Sequence, residues 1–170
     1  LYFQSKPARI NPDLAKGNAR VTSTSAIDQL AISELCELSV GFDQFQIFPT
    51  ALGTRLIAVA GGGRVEGRLE GEVLPGGGDW LMFGADDIAR MDVRASIRTT
   101  DGEMLYMTGL GRAEIVEGAR DRFLAGDTMT SADVRSRLAL MFEAGAGEYA
   151  WLNAAVAVGM VTELSQRHIH

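Results

Sequence analysis

The sequence predicts an all-β protein, a closed antiparallel β-barrel of about eight strands with a mobile N-terminal arm. Three observations carry this. Residues 89–98 alternate strictly, with Ala89, Met91, Val93, Ala95 and Ile97 on one parity and Arg90, Asp92, Arg94, Ser96 and Arg98 on the other. A period of two held that long builds a strand with one dry and one wet face. Glycine clusters, Gly61-Gly62-Gly63 and Gly76-Gly77-Gly78, separate short runs of β-forming residues, as in hairpins rather than helices. Sustained helical periodicity is nearly absent. A sandwich and a barrel both satisfy these patterns, and the barrel is preferred because closure removes exposed strand edges.

Along the chain, Leu1-Tyr2-Phe3-Gln4-Ser5 reads as the remnant of an affinity-tag protease site and is set aside. Residues 6–33 carry Pro7, Pro12, Gly17 and the polar run Thr22-Ser23-Thr24-Ser25, which describe an arm. Its apolar spots, Ile27, Leu30 and Ile32, suit docking onto the domain or onto a neighbouring subunit. The domain proper is expected over 34–170, with strands at 35–40, 55–60, 68–74, 80–83, 89–99, 104–109, 112–116 and 151–161. Thr100-Asp101-Gly102 forms a tight turn into Met104, because Asp-Gly favours positive φ. Residues 131–144 read two ways. Val134, Leu138, Met141 and Phe142 sit at helical spacing behind Ser131, yet Arg137, Ala139, Met141 and Glu143 also alternate with Leu138, Leu140 and Phe142.

The 170 residues carry a formal net charge of -6, with 46% hydrophobic residues. An acidic balance opposes attraction to phosphate, so nucleic acid is not an expected partner. No apolar run approaches the length of a membrane span, so no membrane partner is expected either. One cysteine, Cys36, excludes an internal disulfide and fits a cytoplasmic setting.

The chemistry-bearing motifs are sparse. The glycine clusters lack the dinucleotide pattern, since Glu66 stands where its third glycine belongs, and no Gly-Lys-Ser/Thr occurs. They read as turns and bulges. His168 and His170 lack a nearby third ligand, so no metal site is expected. Cys36 has no histidine in the domain body to activate it and reads as a core residue. No histidine lies between residues 6 and 167, so acid-base work falls to carboxylates and tyrosine, with arginine as electrostatic partner. Asp79, Asp92 and Glu143 sit among apolar or aromatic neighbours where burial raises a pKa. Asp92 and Arg94 also share one strand face and are suited simply to pair with each other. Trp80, Tyr106, Tyr149 and Trp151 either fill the core or line a pocket.

Several stretches in order resemble the domain-of-unknown-function family 3237 of small β-barrels. They are Gly61-Gly62-Gly63 with Gly67, Gly71-Glu72-Val73-Leu74-Pro75-Gly76-Gly77-Gly78-Asp79-Trp80, Asp92-Val93-Arg94, Thr99-Thr100-Asp101-Gly102-Glu103-Met104-Leu105-Tyr106, Phe142-Glu143 and Tyr149-Ala150-Trp151-Leu152-Asn153. The resemblance covers roughly 34–165 and implies a barrel of calycin-like or allene-oxide-cyclase-like form. It favours a strand over 135–143. The polar positions that recur in it are Asp79, Asp92, Arg94, Arg137, Glu143 and Asn153, with Trp80, Tyr106, Tyr149 and Trp151 beside them. Leu140 and Ala144 stand where the family pattern has proline and threonine.

The expectation is a cofactor-independent isomerase, cyclase or lyase acting on a hydrophobic or aromatic small molecule. Arg94 or Arg137 would stabilise a developing oxyanion, Glu143 or Asp79 would move the proton, and Tyr106 would donate a hydrogen bond. Trp80, Asp92, Arg137, Tyr149, Trp151 and Asn153 would hold the ligand. The alternative is a module that binds such a ligand unchanged, and a homo-oligomer is the third expectation.

Overall fold

Alternation of small apolar and polar residues makes most of this chain into strands, and a computed structural model describes residues 2–4 and 32–170. Its strands are β1 (Tyr2–Gln4), β2 (Ile32–Glu34), β3 (Cys36–Thr50), β4 (Gly53–Gly67), β5 (Gly71–Val73), β6 (Gly78–Asp79) and β7 (Met82–Phe83). They continue with β8 (Ile88–Thr99), β9 (Met104–Ile115), β10 (Met129–Thr130), β11 (Val134–Ala144), β12 (Val156–Gly159), β13 (Glu163–Leu164) and β14 (His168–Ile169). Among the described residues these form one antiparallel sheet of fourteen strands, ordered β10-β13-β14-β3-β4-β5-β8-β9-β11-β12-β1-β2, with β6 and β7 also bridging β4 to β8. The count exceeds the expected eight because short strands line the long ones. One α-helix among the described residues, α1 (Ala119–Leu124), accompanies them, and no described helix is long and apolar enough to cross a membrane.

The 89–99 strand and its hairpin stand as expected. β8 pairs with β9 from Ile88↔Glu114 to Arg98↔Met104, and Gly102 takes the positive φ of +92° that the turn requires. Residues 104–115 form one strand rather than two. Residues 134–144 are a strand, β11, whose burial alternates without a break from Val134 to Glu143. This resolves the two readings, because helical spacing would have put Met141 beside Phe142 in the core, and Met141 is exposed.

Three differences have local causes. β3 runs on through residues 41–50, where no strand is expected, because register shifts at Gly41/Phe42 and Phe42/Gln44 interrupt the period of two. Phe42 and Phe45, three apart, consequently both pack on the core. The cluster Gly61-Gly62-Gly63 lies inside β4 opposite this irregularity rather than in a turn. A Cβ on Gly63 would stand 2.3 Å from the Ser39 carbonyl oxygen. Finally, Trp151 begins no strand. Residues Ala150–Ala154 form a short 3-10 helix that Asn153 fastens to β11, its Oδ1 accepting the Ala144 N–H at 2.9 Å and its Nδ2 donating to the Ala144 and Ala150 carbonyls.

Tyr2–Gln4, in the segment set aside as a tag remnant, pairs with both β12 and β2. Ile32–Glu34 already belongs to the sheet, and only Leu35 separates β2 from β3. The expected arm up to residue 31 lies outside the described residues, along with Ile27 and Leu30.

The buried faces of β4, β8, β9 and β11 share one cluster with Leu35, Leu152 and Ala157, so the sheet wraps around its own apolar side. α1 seals one region of it. Phe123, fully buried, sets its ring edge-on to Phe45 and Phe83 at 5.9 and 6.2 Å, while Gln166 Nε2 donates to the Phe123 carbonyl at 2.9 Å. Truncating this side chain leaves a void that neighbouring strands cannot fill. Phe123→Ala is expected to lower unfolding stability by about 3–5 kcal/mol in chemical denaturation, against about 0.5 kcal/mol or less for Leu52→Ala at an exposed hairpin tip.

Candidate active site

The inward parity of the long strands is rich in small residues. Ala58 and Ala60 on β4, Ala89 and Ala95 on β8 and Ala113 on β9 are all buried. The larger inward residues, including Met91, Met107, Leu138 and Leu140, alternate with them. Beneath the sheet they leave a cavity of about 490 Å³, bounded also by Leu56, Leu81 and Phe83. Glu34, Glu37, Thr162 and His170 edge it, with His170 Nε2 standing 3.6 Å from the Glu37 carboxylate.

One acid faces this apolar space from the middle of the sheet. β6 is wedged between β4 and β8, and Asp79 pairs with Ala58 on one side and Val93 on the other. Cross-strand partners share a face, so the Asp79 side chain lies on the inward side and lines the cavity. Its Oδ1 accepts the Asp92 N–H at 3.0 Å. Burial raises the carboxyl from 3.8 to about 7, the Asp92 N–H opposes this, and the Asp92 charge adds to it. A carboxyl poised there is able to take up or release a proton near neutrality.

The other predicted site residues take different positions. Asp92 and Arg94 share the outward parity of β8 and approach to 3.4 Å, the pairing that their spacing suits. The Arg94 guanidinium stands 5.8 Å from the centre of the Trp80 ring, and Arg94 also lines the cavity. Tyr106, Arg137 and Glu143 all lie exposed on the outward face, with Glu143 opposite Tyr106 in register. Tyr149, Trp151 and Asn153 gather around the 3-10 helix. There the Tyr149 hydroxyl donates to Asp101 at 3.4 Å and its pKa is raised by burial and by the Asp101 and Glu148 charges. Arg68 stands 5.7 Å from the Trp151 ring centre. Of the predicted set, Asp79 and Arg94 line the cavity.

One polar group at the cavity went unnoticed in the sequence. Ser136 is buried and its Oγ accepts the Val161 N–H at 2.6 Å; its parity with Leu138 and Leu140 was the signal. Cys36 lines the cavity too, and burial pushes its thiol up to about 12, which keeps it protonated and a poor nucleophile. His168 Nε2 meets Glu163 at 2.6 Å. No group of three or more His, Cys, Asp or Glu among the described residues is placed to hold a metal ion.

Fold and site together define an all-β protein whose antiparallel sheet encloses an apolar cavity bearing one buried carboxyl. The chain belongs to the family described as proteins of unknown function, DUF3237, whose model matches residues 31–168. The UPF0311 protein RPA1785 of Rhodopseudomonas palustris is 28% identical over 117 residues, spanning 68% of this chain and 76% of its own. The UPF0311 protein blr7842 of Bradyrhizobium diazoefficiens is 25% identical over 122 residues, 69% and 78% of the two chains. Among solved structures, that of RPA1785 superposes with a TM-score of 0.70 at 20% identity, covering 81% of this chain and 95% of the other. A β-barrel-like protein of Acinetobacter baumannii gives 0.64 at 27% identity, with coverages of 79% and 88%. An enzyme of Penicillium herquei gives 0.51 at 20% identity, with coverages of 80% and 92%.

The raised Asp79 pKa has a sign that can be measured. A carboxyl that holds its proton more tightly when folded than when unfolded makes folding take up a proton between the two pKa values. Stability therefore falls as pH rises from about 4 to about 7 and levels off above that. Asp79→Asn should remove this slope, so that the variant gains on the wild type across the window by up to about 4 kcal/mol, read from urea midpoints at successive pH values.

Proposed function

We propose that the sheet closes into a barrel and that the protein acts within it on a small, largely apolar metabolite, as a cofactor-independent isomerase, cyclase or lyase. Closure is supported by Leu35, Leu164 and Ile169, which lie far apart in the chain and join one cluster with the inward faces of β4, β8, β9 and β11, and by the run of β2 into β3 with one residue between them. The observation that carries the function is Asp79, a carboxyl raised to about 7 that faces a 490 Å³ apolar cavity. Such a cavity admits a ring system of modest size and excludes water. Asp79 gives a proton to, or takes one from, a carbon or oxygen of the bound molecule. Its Oδ1 is held by the Asp92 N–H, leaving Oδ2 for that exchange. Burial of the Cys36 thiol supplies no second acid-base group near neutrality.

A second reading has an observation of its own. Most of the residues lining the cavity are apolar, and Arg137 is exposed outside it. A lumen with few polar anchors also suits a protein that binds a hydrophobic compound and releases it unchanged.

A thermal-shift screen against phenolic, terpenoid, polyketide and steroid compounds finds the ligand class. A compound at about 100 times its dissociation constant adds about 2.7 kcal/mol, several degrees for a domain of this size. Filling the cavity with Ala95→Phe should abolish the shift. On a compound that the wild type converts, Asp79→Asn should keep the shift and lower turnover by about a hundredfold or more, as loss of a general acid or base does. Recovery of every stabilising compound unchanged after incubation, with no turnover in the wild type, selects the second reading.

A further inference from the structure

The outward face of β9, β11 and β12 is apolar where a solvated face should be polar. Leu110 is 62% exposed, Met141 53%, Val156 54%, Val158 44% and Met160 44%. The register makes them one patch. Ala139 joins Leu110 on one side to Val158 on the other, and Met141 lies beside Val156. Contiguous exposed apolar area of this kind marks an interface.

Charges frame the patch in a particular order. Outward along β11 come Arg137, Ala139, Met141 and Glu143, so a cation and an anion stand at equal distances from Leu140 with apolar residues between them. Arg137 lies directly opposite Arg112 in the next strand, a like-charge pair that disfavours the isolated sheet. The ion pairs formed among the described residues leave out Arg112, Arg137 and Glu143. Arg112 and Arg137 donate only to nearby carbonyls, those of Gly111 and Ser136.

We propose that this face is a dimer interface whose occupant is a second copy of the same chain, related by a two-fold axis that crosses β11 perpendicular to the strand at Leu140. That rotation reverses position along the strand and preserves position across the sheet. It sets Arg137 against Glu143 of the other copy twice over, Ala139 against Met141, Val158 against Val156, and Arg112 against Tyr106. An axis parallel to β11 would instead stack Arg137 on Arg137 and Glu143 on Glu143, so charge alone selects the first arrangement. An isologous contact is self-complementary in this way. Antiparallel packing of two sheet faces, inclined by their twist, is an ordinary geometry. The inference is independent of what occupies the cavity.

Sedimentation velocity on the full chain tests it. The wild type should sediment as a dimer at micromolar concentration. Arg137→Glu and Glu143→Arg, each of which places like charges across the axis, should weaken the dimer by about tenfold or more. The double variant Arg137→Glu with Glu143→Arg restores opposite pairing and should recover the wild-type dimer. Because facing sheets stand about 10 Å apart, too far for a direct disulfide, a mixture of Ala139→Cys and Met141→Cys chains should give a covalent heterodimer with a short bis-maleimide linker, in clearly higher yield than either chain gives a homodimer alone. A monomeric wild type, a dimer indifferent to the single reversals, or a double variant no better than either single one overturns the proposal. Should a reversal disturb folding, the cysteine mixture decides by itself, and a heterodimer yield no higher than the homodimer yields overturns it.

Discussion

One constraint shapes the rest of the structure: among the described residues the sheet has no second layer. A helix of six residues covers a single region, so nearly all the apolar surface of the long strands packs, among these residues, against the same sheet. That surface leaves water only if the sheet bends around it, and the residues near the chain's ends serve the bending. Leu35, Leu164 and Ile169 join the cluster formed by β4, β8, β9 and β11. The inward alanines follow from the same geometry. A sheet curled around its own face brings opposite walls close, and small residues keep those walls from colliding, at the cost of leaving space between them.

How much of this was legible depended on whether parity ran unbroken. In β8 and the first half of β9 it did, and the hairpin was readable, including the glycine at its turn, whereas Gly109 and Gly111 hid the continuation of β9 to Ile115. In β11 parity and helical spacing coincided over a short stretch, and only packing separates them. In β3 the period is interrupted between Gly41 and Gln44, so Phe42 and Phe45 gave no period of two although both are inward. The 3-10 helix at Ala150 depends on Asn153 reaching the backbone of β11, a tertiary contact that no local pattern encodes. The six residues of α1 were too few to show periodicity at all.

The site was legible through the same parity, and residue type competed with it. Arg94 and Asp92 drew attention as charged residues, yet they alternate with Met91, Val93 and Ala95, and the structure pairs them with each other on the outward parity, with Arg94 beside Trp80 as well as the cavity. Glu143 and Arg137 likewise alternate with the buried Leu138, Leu140 and Phe142. Asp79 was placed by its neighbours' apolar character, and its inward direction comes from pairing with Ala58 and Val93, which only the sheet reveals. Ser136 had the right parity and was passed over for want of charge.

Alternation also divides the chain's information in two. Alternate positions of β8, β9 and β11 face the core and its cavity, and the intervening ones face outward, with a backbone of fixed register between the two sets. Exchanging Ala89, Ala95 or Ala113 for larger residues would recast the shape of the interior while the outer surface stayed as it was. The reverse holds for Arg112 or Met141. Each strand is therefore a double-sided text, and its inner face can drift in evolution independently of its outer one.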